Sequence, residues 1–245
     1  MRTLKITLAY DGTRFVRWQR QVEGDSVQGF LEDALARFEG GPVTVHGAGR
    51  TDAGVHALGQ VASARVTCAH DSATLTRALN ANLPEEIRVV SVEDADDSFH
   101  ARFSASGKTY RYRIRNAPVA DPFERLFAWH LPEPLALEAM THAAAFIVGT
   151  HDFRAFRSVG GEVATTVRTV TRSEWRHSGG LLSYEISGDG FLRHMVRAIV
   201  GTLVEVGRGW READELTALL RSGRRSDAGA TAPPHGLFLV SVDYD

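Results

Sequence analysis

Cysteine is almost absent from this chain. Among 245 residues there is a single one, Cys68, so no internal disulfide can form and no second thiolate exists for a structural zinc site. Ending an alternating run, Cys68 reads as a small buried apolar side chain. The ten histidines are scattered and lack H-E-x-x-H or H-x₃-H spacing, so no metal is expected. Apolar runs of about 18 residues or more are also missing, which excludes a membrane-spanning helix. Residues 1–10 enter a strand pattern directly, without a charged and then apolar leader, so the expectation is a soluble, cytoplasmic protein.

Lysine is nearly missing too: Lys5 and Lys108 stand against 26 arginines. Codon bias in a GC-rich genome is the main cause of such a skew. Arginine nevertheless suits phosphate forks and base stacking better than lysine, so the skew is compatible with an RNA partner. The formal net charge is only −2, so the whole-molecule field does not attract a polyanion and any basic surface has to be local. Charge is segregated along the chain in the required way. Acids crowd Glu85, Glu86, Glu93, Asp94, Asp96 and Asp97, whereas Arg102, Lys108, Arg111, Arg113 and Arg115 follow with no acid among them, a candidate phosphate track.

The remaining composition, 43% hydrophobic and 24% charged, is that of an ordinary globular chain long enough for one large domain or two modest ones. Periodicity predicts strands at residues 4–10, 43–46, 60–67 and 87–92. A helix starts near Ser26, with Val27, Phe30, Leu31, Ala34, Leu35 and Phe38 on one stripe and Gly40 and Gly41 to stop it. A second helix spans 72–82, capped by Ser72 and ended before Pro84. Residues 108–115 alternate strictly, placing Tyr110, Tyr112 and Ile114 on one face and Arg111, Arg113 and Arg115 on the other. A proline-rich connection, a helix over 135–147 and an antiparallel pair, 165–175 with 181–187 turned at 178–180, come next. The chain closes with a helix striped by Met195, Val196, Ile199, Val200, Leu203 and Val204, a short helix over 212–220, a polar stretch from 222 to 234 and a strand over 237–242. The expected class is α+β, divided into halves at 1–105 and 106–245.

Three places are candidates for chemistry. Residues 47–57, GAGRTDAGVHA, are a glycine-loosened loop with one carboxylate, Asp52, two residues from Arg50, and with His56. T-D-A-G alone is ordinary turn chemistry, but a simple turn needs only two to five residues and has no use for an Arg and a His. One carboxylate without a second points to a nucleophile or base; glycosidases of the usual kind need two, about 5 to 9 Å apart. The other places are Tyr110 and the helix opening FLRHMVR, in which Arg193 and Arg197 are i, i+4 neighbours off the stripe. By default Tyr110 is a core tyrosine, and His56 and His194 are structural.

Together these segments resemble the tRNA pseudouridine synthase A family. The resemblance runs through YDGTRFVRWQRQ, SVQGFLEDAL, AGRTDAGVHALGQV, NANLP, FHARFSASGKTYRYRI, DFRAF, GFLRHMVRAIVGTLVEVG and APPHGLFLVSVDY, in the family's order over essentially the whole chain. It implies the pseudouridine synthase fold: two similar α+β halves around a largely antiparallel sheet with a central basic cleft. It further implies a cytoplasmic homodimer that acts on tRNA without a cofactor or metal and isomerises uridine to pseudouridine in the anticodon stem-loop, at tRNA positions 38 to 40. Asp52 matches the family's catalytic aspartate, Tyr110 the tyrosine that stacks on the target base, and Arg197 the basic partner of the aspartate. Arg50 matches an arginine that helps draw out the nucleotide, while Arg111, Arg113 and Arg193 are RNA-contact candidates. Such a reaction oxidises nothing and donates no group, in keeping with the missing dinucleotide fingerprint, metal spacing and cysteine pair.

Overall fold

The computed structural model describes residues 1–158, 160 and 163–245. In chain order the elements are β1 (Arg2–Tyr10), α1 (Val27–Glu39), β2 (Val45–Gly47), β3 (His56–Val66), α2 (Ser72–Asn82), β4 (Ile87–Ala95), β5 (Ala105–Asn116), β6 (Trp129–Leu131), α3 (Leu137–Ala145), β7 (Gly149–Asp152), β8 (Val167–Ser178), β9 (Leu181–Gly188), α4 (Met195–Gly207), α5 (Glu215–Ser222) and β10 (Leu237–Tyr244). The class is α+β, and the strand pairings are mostly antiparallel.

The chain divides into two units, Met1–Ser106 with Phe238–Asp245, and Gly107–Leu237. The sequence division assigns the last strand to the second half; in the structure residues 238–245 belong to the first. Phe238 and Leu239 of β10 pair in parallel with His56 and Ala57 of β3, a long-range pairing that periodicity does not encode.

In the first unit β1 lies between β4 and β3, antiparallel to both, with Leu4, Ile6 and Leu8 fully buried at alternate positions. Helix α1 begins where Ser26 Oγ accepts the Gly29 N–H at 3.2 Å and ends at Gly40, whose φ of +69° is the left-handed conformation glycine adopts freely. The cap of α2 is Asp71 rather than Ser72: its Oδ1 accepts the Thr74 N–H at 2.7 Å, one residue earlier than periodicity places the boundary.

Cys68 is a second departure from expectation, being only partly buried. Its N–H donates at 2.7 Å to Glu39 Oε1, and Glu39 also accepts the Thr67 N–H and hydroxyl at 2.8 Å. Desolvation raises the Glu39 pKa, but these hydrogen bonds outweigh it and bring the value from 4.5 down to about 2. A folded-state pKa below the unfolded one stabilises above about pH 4.5 and is lost as pH falls towards 2. Urea unfolding midpoints of Glu39→Gln are therefore expected to fall less between pH 5 and about 2.5 than those of the parent protein. Parallel curves for the two proteins would contradict this account of the carboxylate.

In the second unit β9 pairs antiparallel with both β5 and β8, β7 extends the sheet beyond β8, and β6 runs parallel to β5. The β8–β9 hairpin turns at Gly179 and Gly180, with φ of +57° and +77°, the two positive values that a tight two-residue turn demands. Tyr110, Tyr112 and Ile114 all point to the buried face, as alternation predicts. Helix α4 is buried on nearly all sides, beyond its predicted stripe, because α3 packs on it and residues 229–232 run along it. Gly201 makes that approach possible: a Cβ there would stand 1.7 Å from the Ala230 carbonyl oxygen.

Candidate active site

Asp52 is carried by a loop shorter than the sequence suggests. Gly47 still belongs to β2 and His56 already begins β3, so the irregular segment is residues 48–55. Its course is fixed by the backbone. Trp18 N–H donates to Thr51 C=O at 3.1 Å, Arg17 and Asp52 form an antiparallel bridge, and Val55 N–H donates to Asp52 C=O at 3.2 Å across a turn with Gly54 at φ +74°. Asp52 is half-buried and Arg50 is exposed.

A buried polar network holds this loop from beneath. Thr51, on the N-terminal side of Asp52, bonds through Oγ1 to the Tyr10 hydroxyl at 2.8 Å. Gln60 Nε2 donates to the Gly49 carbonyl at 2.9 Å and to the Tyr10 oxygen at 3.4 Å. Burial pushes the Tyr10 pKa up to about 12 against the pull of Thr51 and Gln60, so the hydroxyl stays protonated. Three residues from strands β1 and β3 and the loop thus converge on the peptide beside Asp52. Their meeting is not encoded by local periodicity, since it depends on the register of β1 against β3.

His56 secures the other end of the loop. It is 1% exposed, its ring stacks on Phe238 at 4.7 Å, and Nδ1 accepts the Gly12 N–H at 3.0 Å. That bond requires Nδ1 to be unprotonated, with the ring proton on Nε2. The same nitrogen lies 3.2 Å from Asp11 Oδ1. Gly12 itself has no room for a side chain, since a Cβ would come within 2.0 Å of the Val55 carbonyl oxygen. Trp18 packs as closely on Gly47, where a Cβ would meet the indole nitrogen at 2.4 Å. Glycine is dictated by close approach at both places.

The second unit carries the other candidates. Tyr110, 8% exposed on β5, packs edge-to-face on Phe191 with centroids 5.1 Å apart. Arg197, half-buried in the first turn of α4, donates from Nε to the Ala232 carbonyl at 2.7 Å, and Ala232 N–H returns a bond to its carbonyl at 3.1 Å. Its charge is felt close by. Burial raises the Tyr112 pKa while Arg197 opposes the rise, and burial and Arg197 both lower that of His235. Arg193 is not a helical neighbour of Arg197 as the spacing suggests. It is exposed and precedes His194, which sits at φ +62° and breaks the helical path before Met195. His194 is the only non-glycine residue with positive φ among the described residues, and its Nδ1 lies 2.8 Å from Ser158 Oγ.

The arginines of β5 are not bare cations. Arg111 binds Glu185 through Nε and Nη2 at 3.1 and 2.9 Å, and Glu185 also takes Arg172 at 2.8 Å. Arg113 pairs with Glu124 at 3.2 Å, and Arg115 pairs with the same carboxylate. One acid comes from β9, 74 residues from Arg111, and the other from the proline-rich connection, 11 and 9 residues after Arg113 and Arg115, just beyond the acid-free run that the local charge count covers. No group of three metal-ligating side chains exists among the described residues.

Comparison with known proteins agrees with this architecture over the full length. The family model described as tRNA pseudouridine synthase matches residues 6–104 and 143–245. A protein named tRNA pseudouridine synthase A from Acetivibrio thermocellus is 43% identical over 100% of both chains. One of the same name from Syntrophotalea carbinolica is 46% identical over all of this chain and 97% of its own, and one from a Geobacillus species is 45% identical over 99% and 98%. These relatives place the chain among isomerases. The chain belongs to the tRNA pseudouridine synthase family.

Proposed function

We propose that this protein converts uridine to pseudouridine in tRNA, at positions 38 to 40 of the anticodon stem-loop, with Asp52 as its catalytic carboxylate. The observation that carries the reading is a full-length likeness to proteins named tRNA pseudouridine synthase A, in a chain whose Asp52 loop is fixed at both ends by buried hydrogen bonds. The reaction breaks the N1–C1′ bond, turns the uracil and forms C5–C1′; C5 gives up its proton and N1 gains one, so nothing is oxidised. One ionised carboxylate serves each route open to it: attack at C1′, attack at C6, or removal of the C2′ proton.

A base stacked in a stem is out of reach, so the uridine has to be flipped out at a cost of a few kcal/mol. Stacking on Tyr110 and contacts from arginines offset that cost. In this reading Arg197 is the cationic counterpart of Asp52 and Arg50 draws out the nucleotide. Arg111, Arg113 and Arg193 contact the RNA backbone; a guanidinium has five N–H donors, so the two ion-paired arginines keep donors for phosphate. The working form is a cytoplasmic homodimer, and light scattering on the purified protein is expected to give twice the mass of one chain.

The direct test is to incubate the protein with an unmodified tRNA transcript and map pseudouridine by carbodiimide-dependent primer-extension stops. Stops at positions 38 to 40 are the expected result. Their absence, with the transcript bound, would refute the assigned reaction.

A further inference from the structure

One surface of the first unit is not used by the chemistry above. His46, the residue before Gly47, stacks on His100 with centroids 4.7 Å apart and planes at 28°. His100 in turn packs on Phe103 at 4.4 Å, and the Arg102 guanidinium lies 5.5 Å from the Phe103 ring centroid. Phe103 is 77% exposed, so its ring face is open to a ligand.

The turn that presents these rings is built firmly. Ala101 is fully buried and plugged into the cluster of Ala48, Val61, Phe99, Val242 and Tyr244. Its N–H donates to Ser63 Oγ at 3.1 Å and its carbonyl accepts the Tyr244 hydroxyl at 2.8 Å. Ser63 is the strand partner of His46, so the two ends of the ring column are registered through one residue. His100 Nδ1 accepts the N–H groups of Arg102 and Phe103, and the 100–104 turn closes through Ser104 N–H to His100 C=O at 2.9 Å. An exposed phenyl ring on a floppy tip would collapse onto the surface; this one is held out by an anchored backbone.

Charge favours a nucleic-acid ligand. Arg102 has no ion pair among the described residues, whereas Arg111, Arg113 and Arg115 are each paired with a glutamate. Burial, His46 and Arg102 lower the His100 pKa, and Arg102 sets a guanidinium at the Phe103 end of the column. Flat π-faces beside a lone arginine are the means by which proteins hold unstacked bases.

We propose that His46, His100, Phe103 and Arg102 form a stacking site for an unpaired nucleobase of the tRNA other than the reacting uridine, with Arg102 taking the adjoining phosphate. This rests on the reading of tRNA as the substrate. The test measures the dissociation constant of a fluorescein-labelled, unmodified tRNA transcript for the parent protein, Phe103→Ala, Phe103→Trp and Arg102→Ala, alongside pseudouridine formation. Phe103→Ala is expected to weaken binding about tenfold and to act on KM rather than kcat, with Phe103→Trp within about twofold of the parent. Arg102→Ala is expected to weaken binding and to lower the salt dependence of log Kd by about one counterion. Because Phe103 is so exposed, its variants are expected to keep the parent melting temperature. Parental affinity of Phe103→Ala would overturn the proposal, as would equal losses for Ala and Trp. Both outcomes are separable from failure of the functional reading, in which the parent itself would form no pseudouridine.

Discussion

Asp52→Asn is expected to reduce pseudouridine formation by at least about 10³-fold, with tRNA affinity and melting temperature close to those of the parent. The substitution keeps the shape of the side chain and removes its charge, so it separates chemistry from folding. Bonds through the Asp52 backbone carbonyl, the Thr51 carbonyl and hydroxyl, and the Gly49 carbonyl hold the loop, and Asn at 52 leaves all of them in place. A single-turnover assay with enzyme in excess over tRNA checks the rate, and filter binding checks affinity. Retention of more than a tenth of the parental rate would remove Asp52 from the chemical step.

The second large effect falls on a residue with no functional group at all. Gly12→Ala drives a methyl group to within 2.0 Å of the Val55 carbonyl oxygen, an atom of the backbone that cannot rotate away. Relief requires the 11–13 turn and the Asp52 loop to part, which also strains the Gly12 N–H bond to His56. Overpacking of this kind costs about 3 kcal/mol, equivalent to about 6–12 °C in melting temperature for a chain of this length. A displacement of about 1 Å in the loop lowers kcat by about 10²-fold even in molecules that remain folded. Gly41→Ala is the control, since a Cβ there meets nothing within 4 Å. Calorimetry and single-turnover rates on the two variants settle the matter: equal melting temperatures would show that the loop accommodates the methyl group without cost.

Sequence legibility followed the range of the interactions involved. Helix α1 and the Tyr110 face of β5 were readable because 3.6- and 2-residue periods and local caps are written in neighbouring residues. The loop of Asp52 stood out for the same reason, through its glycines and its solitary acid. What escaped were pairings between distant segments. Glu185 lies 74 residues from Arg111, and Glu124 stands just beyond the run that holds Arg113 and Arg115, so a stretch that reads as a cationic track is locally balanced in space. Tyr10, Gln60 and Thr51 meet only because β1 and β3 are registered side by side. Among the described residues His194 carries the one left-handed conformation outside glycine, which no residue preference announces, and it shortens α4 at the end where the spacing reads Arg193 as helical. Local physics therefore located the carboxylate, whereas the devices that hold it depend on the tertiary fold.

The return of β10 to the first unit has a consequence for biosynthesis. The β3 edge at His56 and Ala57 receives its partner strand, and the His56 ring its Phe238 neighbour, only when residues beyond 237 have emerged from the ribosome. The strand that follows the Asp52 loop waits for residues made much later to brace it. A nascent chain of this protein therefore lacks that brace until Phe238 and Leu239 have been made, and a truncation before Phe238 removes support from a loop nearly two hundred residues upstream.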